Sequence, residues 1–200
     1  MSKEKLSTNK ALMERYSRGH QLVVDQSFLR LGDELVAVSK VLVKALEAGR
    51  KVLTLGNGGS ATQASHFAGE LMGRFSKSTR RPLAAVALTS DPGVVTCIAN
   101  DFGYGALFER QVEGLAGSGD VVFGFTTSGK SENVLRGLSM ARRMRAIAVA
   151  VTGSAGLVGG KVDYLLDVPS STTSYIQEVH LMFVHLWCTY VDEVFVRSET

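Results

Sequence analysis

Cysteine is scarce in this chain of 200 residues, which holds two, Cys97 and Cys188. Both lie inside apolar patterns far apart in sequence. This predicts small buried side chains in a reducing compartment rather than a disulfide-held fold. The polar N-terminus lacks the apolar core of a signal peptide, and no uninterrupted apolar run approaches the roughly 18 residues of a membrane span. The sequence therefore predicts a soluble, cytoplasmic protein with no membrane partner.

Strong charge of either sign is also missing. The formal net charge is +3, and the arginines form short clusters at the ends of predicted elements. No basic strip interleaved with aromatic residues suggests a nucleic-acid groove, so we expect no nucleic-acid partner. There is no low-complexity tract and no Pro/Ser-rich linker, and 45% of the residues are hydrophobic. This composition predicts a single globular domain over residues 1–200.

Short apolar runs alternate with helical patterns after residue 49. Such alternation predicts a parallel sheet covered by helices on both faces, which is a three-layer α/β/α sandwich. Five runs qualify as strands, so a five-stranded parallel sheet is expected. The predicted strands cover residues 52–55, 82–89, 120–125, 146–151 and 164–168.

The first 49 residues show no strand pattern. Their apolar spacing predicts two helices, with a break near Gly32 and Asp33 and an end at Gly49. The first helix is long and its apolar residues are sparse. A helix of this kind often packs against another subunit, although a solvent-facing helix is the plain alternative. We expect residues 1–49 to be a helical segment used in oligomerisation.

The run Val52–Leu55 is followed by Gly56-Asn57-Gly58-Gly59-Ser60 and then by a helix that carries His66 and Glu70. A strand that passes through glycines into a helix N-terminus collects backbone N–H groups and the positive end of the helix dipole. His66 and Glu70 are four residues apart and share one helix face. The stretch predicts an anion pocket beside an imidazole and a carboxylate.

The third predicted strand ends in Thr126-Thr127-Ser128-Gly129-Lys130-Ser131. Hydroxyls and free backbone N–H groups at a helix start form a phosphate cup that needs no fixed cation. Helix capping is the plain alternative, because Ser and Thr are common N-caps. One hydroxyl is enough for a cap, so four of them around a glycine favour phosphate binding.

One nucleotide-binding motif competes with this interpretation. Gly56-x-Gly58-x-x-Ala61 fits the relaxed dinucleotide fingerprint, but the nearest acid after the second strand, Asp91, comes some ten residues too late. The hydroxyl-rich loop also has no role in that scheme. The Walker P-loop pattern does not occur in the sequence.

The last predicted helix adds a second pair of polar groups. Gln177 and His185 are eight residues apart, about 80° around the helix axis, so both can serve one pocket. With His66 and Glu70 they would form an N/O site suited to Zn²⁺ or a similar divalent ion. Hydrogen-bonded core histidines are the alternative interpretation. Glu178 and His180 lie on other faces of this helix, where a surface or interface position is expected.

Taken together, these segments resemble the sugar isomerase (SIS) domain family, and within it the members that isomerise sedoheptulose 7-phosphate. The matching pieces run in family order over most of the chain after Gly49. They are GNGGS at 56–60, HFAGELMGRF at 66–75, IANDFGYG at 98–105, TTSGKSENV at 126–134 and YIQEVHLMFVH at 175–185.

The resemblance implies a role for each matching position. Glu70 and His185 would be the catalytic acid/base pair, and one Zn²⁺ per subunit would be held by His66, Glu70, Gln177 and His185. Family members are homotetramers whose sites draw on neighbouring subunits. The implied contacts to the sugar phosphate are Asn57, Gly58, Gly59, Ser60, Glu70, Asn100, Asp101, Thr126, Thr127, Ser128, Ser131 and Gln177.

The implied activity converts D-sedoheptulose 7-phosphate to D-glycero-D-manno-heptose 7-phosphate through an enediol, the first step of ADP- or GDP-heptose biosynthesis. One branch of the family instead binds the bacterial replication initiator, and it typically lacks the Glu and the second His that this chain keeps. A sugar-phosphate sensor would need the cradle without that pair. Two positions depart from the family pattern: Lys130 replaces Asn, and Ser174-Tyr175 replaces Asp-Arg.

Overall fold

The computed structural model describes residues 3–76 and 80–198, and the side chains of residues 9–76 and 80–196. Five parallel strands form one sheet in the order β2-β1-β3-β4-β5, which confirms the predicted fold class. The sequence order of the strands reverses between β1 and β3, and ligands of such sheets bind at this point, beyond the carboxyl ends of the strands. The strands are β1 Val52–Gly56, β2 Ala85–Ala87, β3 Val121–Thr126, β4 Ile147–Thr152 and β5 Tyr164–Asp167.

Helices cover both faces of the sheet. Alternate residues of each central strand point to opposite sides, so that Phe123 packs with the α1, α2 and α6 layer while Val122 packs with the α3, α4 and α5 layer. A 3₁₀ turn, Tyr104–Ala106, joins α3 to α4. The helices are α1 Lys3–Glu47, α2 Gly59–Met72, α3 Pro92–Phe102, α4 Leu107–Leu115, α5 Glu132–Arg143 and α6 Thr173–Ser198.

The predicted break near Gly32 and Asp33 is wrong, because α1 is a single helix of 45 residues. Leu31, Leu35 and Leu42 are all buried and keep their helical spacing across the glycine. A glycine inside a helix costs about 1 kcal/mol relative to alanine. Each buried leucine contributes about 1.5–3 kcal/mol, which outweighs that cost.

One face of α1 leaves large apolar side chains in solvent. Leu29 is 86% exposed, and Leu22 and Val36, each seven residues away from it on the same helix face, are also more than half exposed. These residues lie on the same helix as the buried leucines, which face the sheet. Helix α1 therefore has one covered and one uncovered apolar side.

Helix α6 is long and apolar enough to meet the length and composition test for a membrane span, over residues Thr173–Val196. Half of its most apolar 18-residue window is buried inside the protein. Trp187 is fully buried and packs against Phe67 of α2 and Phe123 of β3, with ring centroids 5.8 and 5.0 Å away. The apolar character of α6 is that of a core helix.

The two cysteines differ from each other. Cys188 is fully buried on α6, as predicted, and burial raises the pKa of its thiol. Cys97 is exposed on α3, so the prediction of a buried Cys97 is wrong. Helix α3 is apolar on several sides, and the sequence pattern does not show which side faces the sheet.

Candidate active site

The loops after β1 and β3 start side by side, because Gly56 and Phe125 are paired in the sheet. A side chain at Gly56 would lie 2.8 Å from the Ser60 backbone, so only glycine permits this tight entry into α2. A side chain at Gly59 would lie 2.5 Å from Nε2 of Gln177. The amide of Gln177 on α6 therefore lies directly against the first turn of α2, at the glycine loop.

Three hydroxyls of the β3–α5 loop converge. Thr126 Oγ1 lies 3.2 Å from Ser131 Oγ and 3.5 Å from Ser128 Oγ, and Thr127 belongs to the same turn. Ser131 is the N-cap residue of α5, yet within the described chain its side chain makes no capping hydrogen bond. The hydroxyls face each other instead of the helix, which disfavours the capping explanation and leaves a cup lined by oxygen atoms.

The two loops are tied together by a pair of side-chain amides. Asn57 Nδ2 donates to Asn133 Oδ1 at 2.9 Å, and Asn133 Nδ2 donates back to Asn57 Oδ1 at 2.8 Å. Tyr104 donates its hydroxyl hydrogen to the same Asn57 oxygen at 2.8 Å. The Asn57 side chain thus holds the glycine loop against the hydroxyl cup.

Asn133 and Tyr104 were not among the predicted site residues. Both lie inside motifs that the sequence displays, since Asn133 ends TTSGKSEN and Tyr104 belongs to IANDFGYG. Asn133 is only 3% exposed, and a buried amide needs hydrogen-bond partners. An asparagine in the first turn of a helix is usually taken as a terminus signal, and this hides its tertiary role in the sequence.

Asn100 and Asp101 lie exposed at the end of α3 and are hydrogen-bonded to each other, with Asn100 Nδ2 2.7 Å from Asp101 Oδ1. Within residues 3–76 and 80–198, no hydrogen bond or ion pair joins either of them to the glycine loop or to the cup. No such contact in the described chain therefore joins these two predicted substrate contacts to the others.

Helices α2 and α6 place three polar side chains in one cluster. His66 Nε2 lies 3.0 Å from His185 Nε2 and 3.3 Å from Glu70 Oε1. Phe75 stacks on the His185 ring, with centroids 5.7 Å apart. The side chains of His66 and Glu70 are 41% and 24% exposed, so a ligand can reach the cluster from solvent.

The cluster can be compared with the needs of a zinc ion. In this arrangement, no group of three or more His, Cys, Asp or Glu side chains in the described chain is already placed around a metal position. Two nitrogen ligands of tetrahedral zinc, each about 2.0–2.1 Å from the ion, lie about 3.3 Å apart. The spacings of His66 from His185 and Glu70 are close to this value, so the donor set fits zinc after small side-chain adjustments. Gln177, the fourth predicted ligand, lies against Gly59 instead.

His180 departs from its predicted surface or interface position. It is fully buried, with Nε2 3.1 Å from the carbonyl oxygen of Thr152 and its ring 6.0 Å from that of Phe125. Burial lowers the pKa of His180 to about 4. The imidazole is therefore neutral near pH 7, and Nε2–H donates to Thr152. This contact fixes α6 to the carboxyl end of β4.

Glu178 is partly exposed, in line with its predicted surface position, and faces α1. It accepts a hydrogen bond from the Tyr16 hydroxyl and lies 3.2 Å from His20 Nε2. Tyr175 also packs on α1, with its ring centroid 5.0 Å from that of Tyr16 and 6.0 Å from that of His20. Tyr175, at which this chain departs from the family pattern, thus contributes to the packing of α6 against α1.

Lys130, the other departure, is exposed in the turn before α5. Its backbone N–H lies 3.3 Å from Ser128 Oγ and donates to it. The backbone at Lys130 thus orients one hydroxyl of the cup.

The family model for the SIS domain matches residues 15–153. Phosphoheptose isomerase from Aquifex aeolicus is 47% identical over 86% of this chain and 90% of its own length. Phosphoheptose isomerase 1 from Campylobacter jejuni is 41% identical over 92% of this chain and 98% of its own length. A solved phosphoheptose isomerase structure from Francisella tularensis is 33% identical, superposes with a TM-score of 0.87, and covers 94% of this chain and 98% of that one.

The parallel sheet, the glycine loop and the hydroxyl cup thus agree with an independent match to the SIS domain. The chain belongs to the SIS domain family, and its relatives place it within the phosphoheptose isomerase group.

Proposed function

We propose that this protein is an aldose–ketose isomerase that converts D-sedoheptulose 7-phosphate to D-glycero-D-manno-heptose 7-phosphate. The names of its relatives support this substrate. The observation that carries the proposal is the convergence of His66, Glu70 and His185 on α2 and α6, the two helices that meet at the glycine loop. A carboxylate and an imidazole within reach of a bound sugar are the groups that proton transfer between neighbouring carbons requires.

Glu70 is the proposed base. Isomerisation removes a proton from the carbon next to a carbonyl and returns it to the neighbouring carbon through an enediol. Glu70 is one helical turn from His66 and is partly exposed, so its carboxylate can take and return the proton. His185 moves the protons of the two oxygens, because its Nε2 points into the same cluster.

The phosphate group belongs in the hydroxyl cup. Thr126, Ser128 and Ser131 present their oxygens at the start of α5, where the helix dipole favours an anion. The pair of amides from Asn57 and Asn133 sets the distance between this cup and the glycine loop. The substrate would therefore extend from the cup, along the glycine loop, to the acid/base cluster.

One Zn²⁺ per subunit is the proposed cofactor, with His66, Glu70, Gln177 and His185 as its ligands. These side chains offer nitrogen and oxygen donors, and His66 is spaced from Glu70 and His185 as two ligands of one zinc ion are. Both observations support this choice. A bound zinc ion would supply Lewis-acid polarisation of the sugar oxygens. Gln177 would have to turn from Gly59 toward the cluster to join it.

We further propose a cytoplasmic homotetramer whose sites are completed by neighbouring subunits. The uncovered apolar face of α1 supports a subunit contact, since it includes Leu22, Leu29 and Val36. Asn100 and Asp101 lie outside the cluster of their own subunit, which suits residues that serve a neighbouring one. Neither nucleic acid nor a membrane is a proposed partner.

The direct test is an assay of purified protein with added zinc on sedoheptulose 7-phosphate, followed by detection of the aldose product. Conversion supports the proposal. If the wild-type protein is inactive and captures a replication initiator tightly, the isomerase proposal fails and binding of the initiator replaces it. The presence of both Glu70 and His185 favours the isomerase.

A further inference from the structure

We propose that Arg80 and Asp192 are positioning residues that set the separation of Glu70 and His185. This inference rests on the proposed isomerase function. Neither residue belongs to the acid/base cluster, the glycine loop or the hydroxyl cup. Their role follows from what they join, since Arg80 binds the end of α2 and Asp192 is part of α6.

The side chain of Arg80 is 0% exposed, and it donates hydrogen bonds to acceptors on several sides. Its Nε donates to Asp192 Oδ1 at 2.7 Å, and the two terminal nitrogens donate to the carbonyl oxygens of Leu71 at 3.0 Å and Glu70 at 2.7 Å. A third carbonyl, that of Arg81, lies 3.1 Å from one terminal nitrogen. A charge this deeply buried stays in place only when it is paired and hydrogen-bonded, so its geometry is fixed.

Two of the three carbonyls that Arg80 binds, those of Glu70 and Leu71, belong to the last turn of α2. The last four carbonyl groups of a helix lack partners within the helix, and the C-terminal end carries partial negative charge. The last turn of α2 contains no basic residue of its own. Arg80 supplies that cation from beyond the helix, and Glu70 contributes its carbonyl to Arg80 while its carboxylate points to His66.

Asp192 occupies a matching position on the other helix. It is seven residues after His185, which places it two turns along α6, about 10 Å away and within about 20° of the same face. Ser76, in the segment after α2, donates a second hydrogen bond to Asp192 Oδ2 at 3.0 Å. The ion pair therefore joins the helix of Glu70 to the face of α6 that carries His185.

Cys188 indicates that the ion pair and the acid/base cluster are contiguous. It lies between His185 and Asp192 on α6 and is fully buried. Burial raises the pKa of its thiol, the negative charge of Glu70 raises it further, and the charge of Arg80 opposes this. One buried side chain is thus within electrostatic reach of both the proposed base and the ion pair.

The positioning role requires the planar guanidinium of arginine, whose N–H donors point in fixed directions. Arg80→Lys keeps a positive charge opposite Asp192 but cannot bind the carboxylate and two helix carbonyls in fixed directions. Asp192→Asn keeps the size of the side chain and removes its charge. A shift of about 1 Å in a catalytic group can lower a rate by about 100-fold. We expect each variant to lower kcat at least 10-fold while KM changes less than threefold.

The test compares these variants with Phe108→Leu, a core substitution on the opposite side of the sheet. All proteins are assayed as full-length, zinc-loaded enzyme well below their unfolding temperatures. Crystal structures of the wild type and Arg80→Lys give the separation of the Glu70 carboxylate and His185 Nε2. The inference expects Phe108→Leu to keep the wild-type kcat and Arg80→Lys to widen that separation.

The outcomes are distinguishable. If wild type is active and the ion-pair variants lose no more kcat than Phe108→Leu, the positioning role is overturned and the isomerase function stands. If wild type is inactive, the proposed function fails, and the separation measured in Arg80→Lys decides the positioning role alone. An unchanged separation then overturns it, and a widened one supports it. Asp192→Asn provides the second kinetic measurement if Arg80→Lys does not fold.

Discussion

The hydroxyl cup and the acid/base cluster are built in different ways. The cup comes from six consecutive residues of one loop, in which Thr126 and Ser131 lie 3.2 Å apart. The cluster joins His66 to His185, which are 119 residues apart in sequence and lie on two helices. Local turn geometry is enough to form the cup. The cluster exists only when α2 and α6 are held in register by packing and by buried polar contacts.

This difference predicts two kinds of failure. Damage to the cup should weaken substrate binding and leave proton transfer nearly intact, whereas damage to the cluster should slow proton transfer. Loss of the Arg80–Asp192 pair, which sets the separation of α2 and α6, should also lower kcat, whereas the other contacts of α6 outside the site should affect stability or packing. We expect the largest effect from loss of the base and the smallest from loss of a hydroxyl on α6 that serves packing.

Glu70→Gln should have the largest effect. It keeps the shape of the side chain but removes the base, so kcat should fall about 10³-fold, within the range for general acid–base catalysis. Steady-state kinetics with sedoheptulose 7-phosphate measure this loss. Circular dichroism provides the folding control. A variant that keeps more than a tenth of wild-type kcat would show that another group removes the proton.

His180→Gln should change how stability depends on pH. The pKa of His180 is about 4 in the folded protein and near 6.5 when unfolded, so the unfolded state binds more protons between these values. Above pH 6.5, His180 is neutral in both states and the free energy of unfolding has its full value. As pH falls from 6.5 to 4, about 3 kcal/mol of that free energy is lost. Urea unfolding from pH 4 to 7 measures the slope. The His180→Gln variant should show a shallower slope, and equal slopes would contradict the assignment.

Ser131→Ala should affect binding more than chemistry. Loss of one hydroxyl that contacts an anion costs about 1.5 kcal/mol, which corresponds to a roughly 10-fold higher KM. The kcat should stay within about twofold of wild type. Thr96→Ala is a suitable control because its hydroxyl donates to the Pro92 carbonyl within α3, outside the cup and the glycine loop. A large fall in kcat without a change in KM would place Ser131 among the groups that act in the chemistry.

Tyr175→Phe should have the smallest effect. The ring of Tyr175 packs against Tyr16 and His20 of α1, so removing its hydroxyl should leave both kinetic constants, KM and kcat, within about twofold of wild type. The same kinetic assay measures both constants. If KM instead rises tenfold or more, this position contacts the substrate after all.

Much of the fold was predictable because apolar strands alternate with helices along the chain. All five strands, the parallel sheet and the order of the helices after residue 49 follow from that pattern. The error at Gly32 arose because a local helix-breaking signal says nothing of the burial of Leu31 and Leu35 on either side. Helix propensity is weak compared with tertiary packing, and packing decided the outcome.

The site was predictable to the extent that its parts are local. The cup residues and the shared face of His66 and Glu70 follow from spacing in the sequence. Asn133 was missed because its partner, Asn57, is 76 residues away. Arg80 and Asp192 were missed for the same reason, since only the folded chain shows a buried guanidinium between two helices. His180 was misplaced because spacing gives its helix face but not what covers that face.

The central claim is that α2 and α6 together form a metal-dependent acid/base site, and metal content tests it most directly. Protein purified without chelators should contain one zinc ion per subunit by elemental analysis, and His66→Ala purified in the same way should contain almost none. Wild-type protein that is free of zinc, and active without it, would contradict the claim.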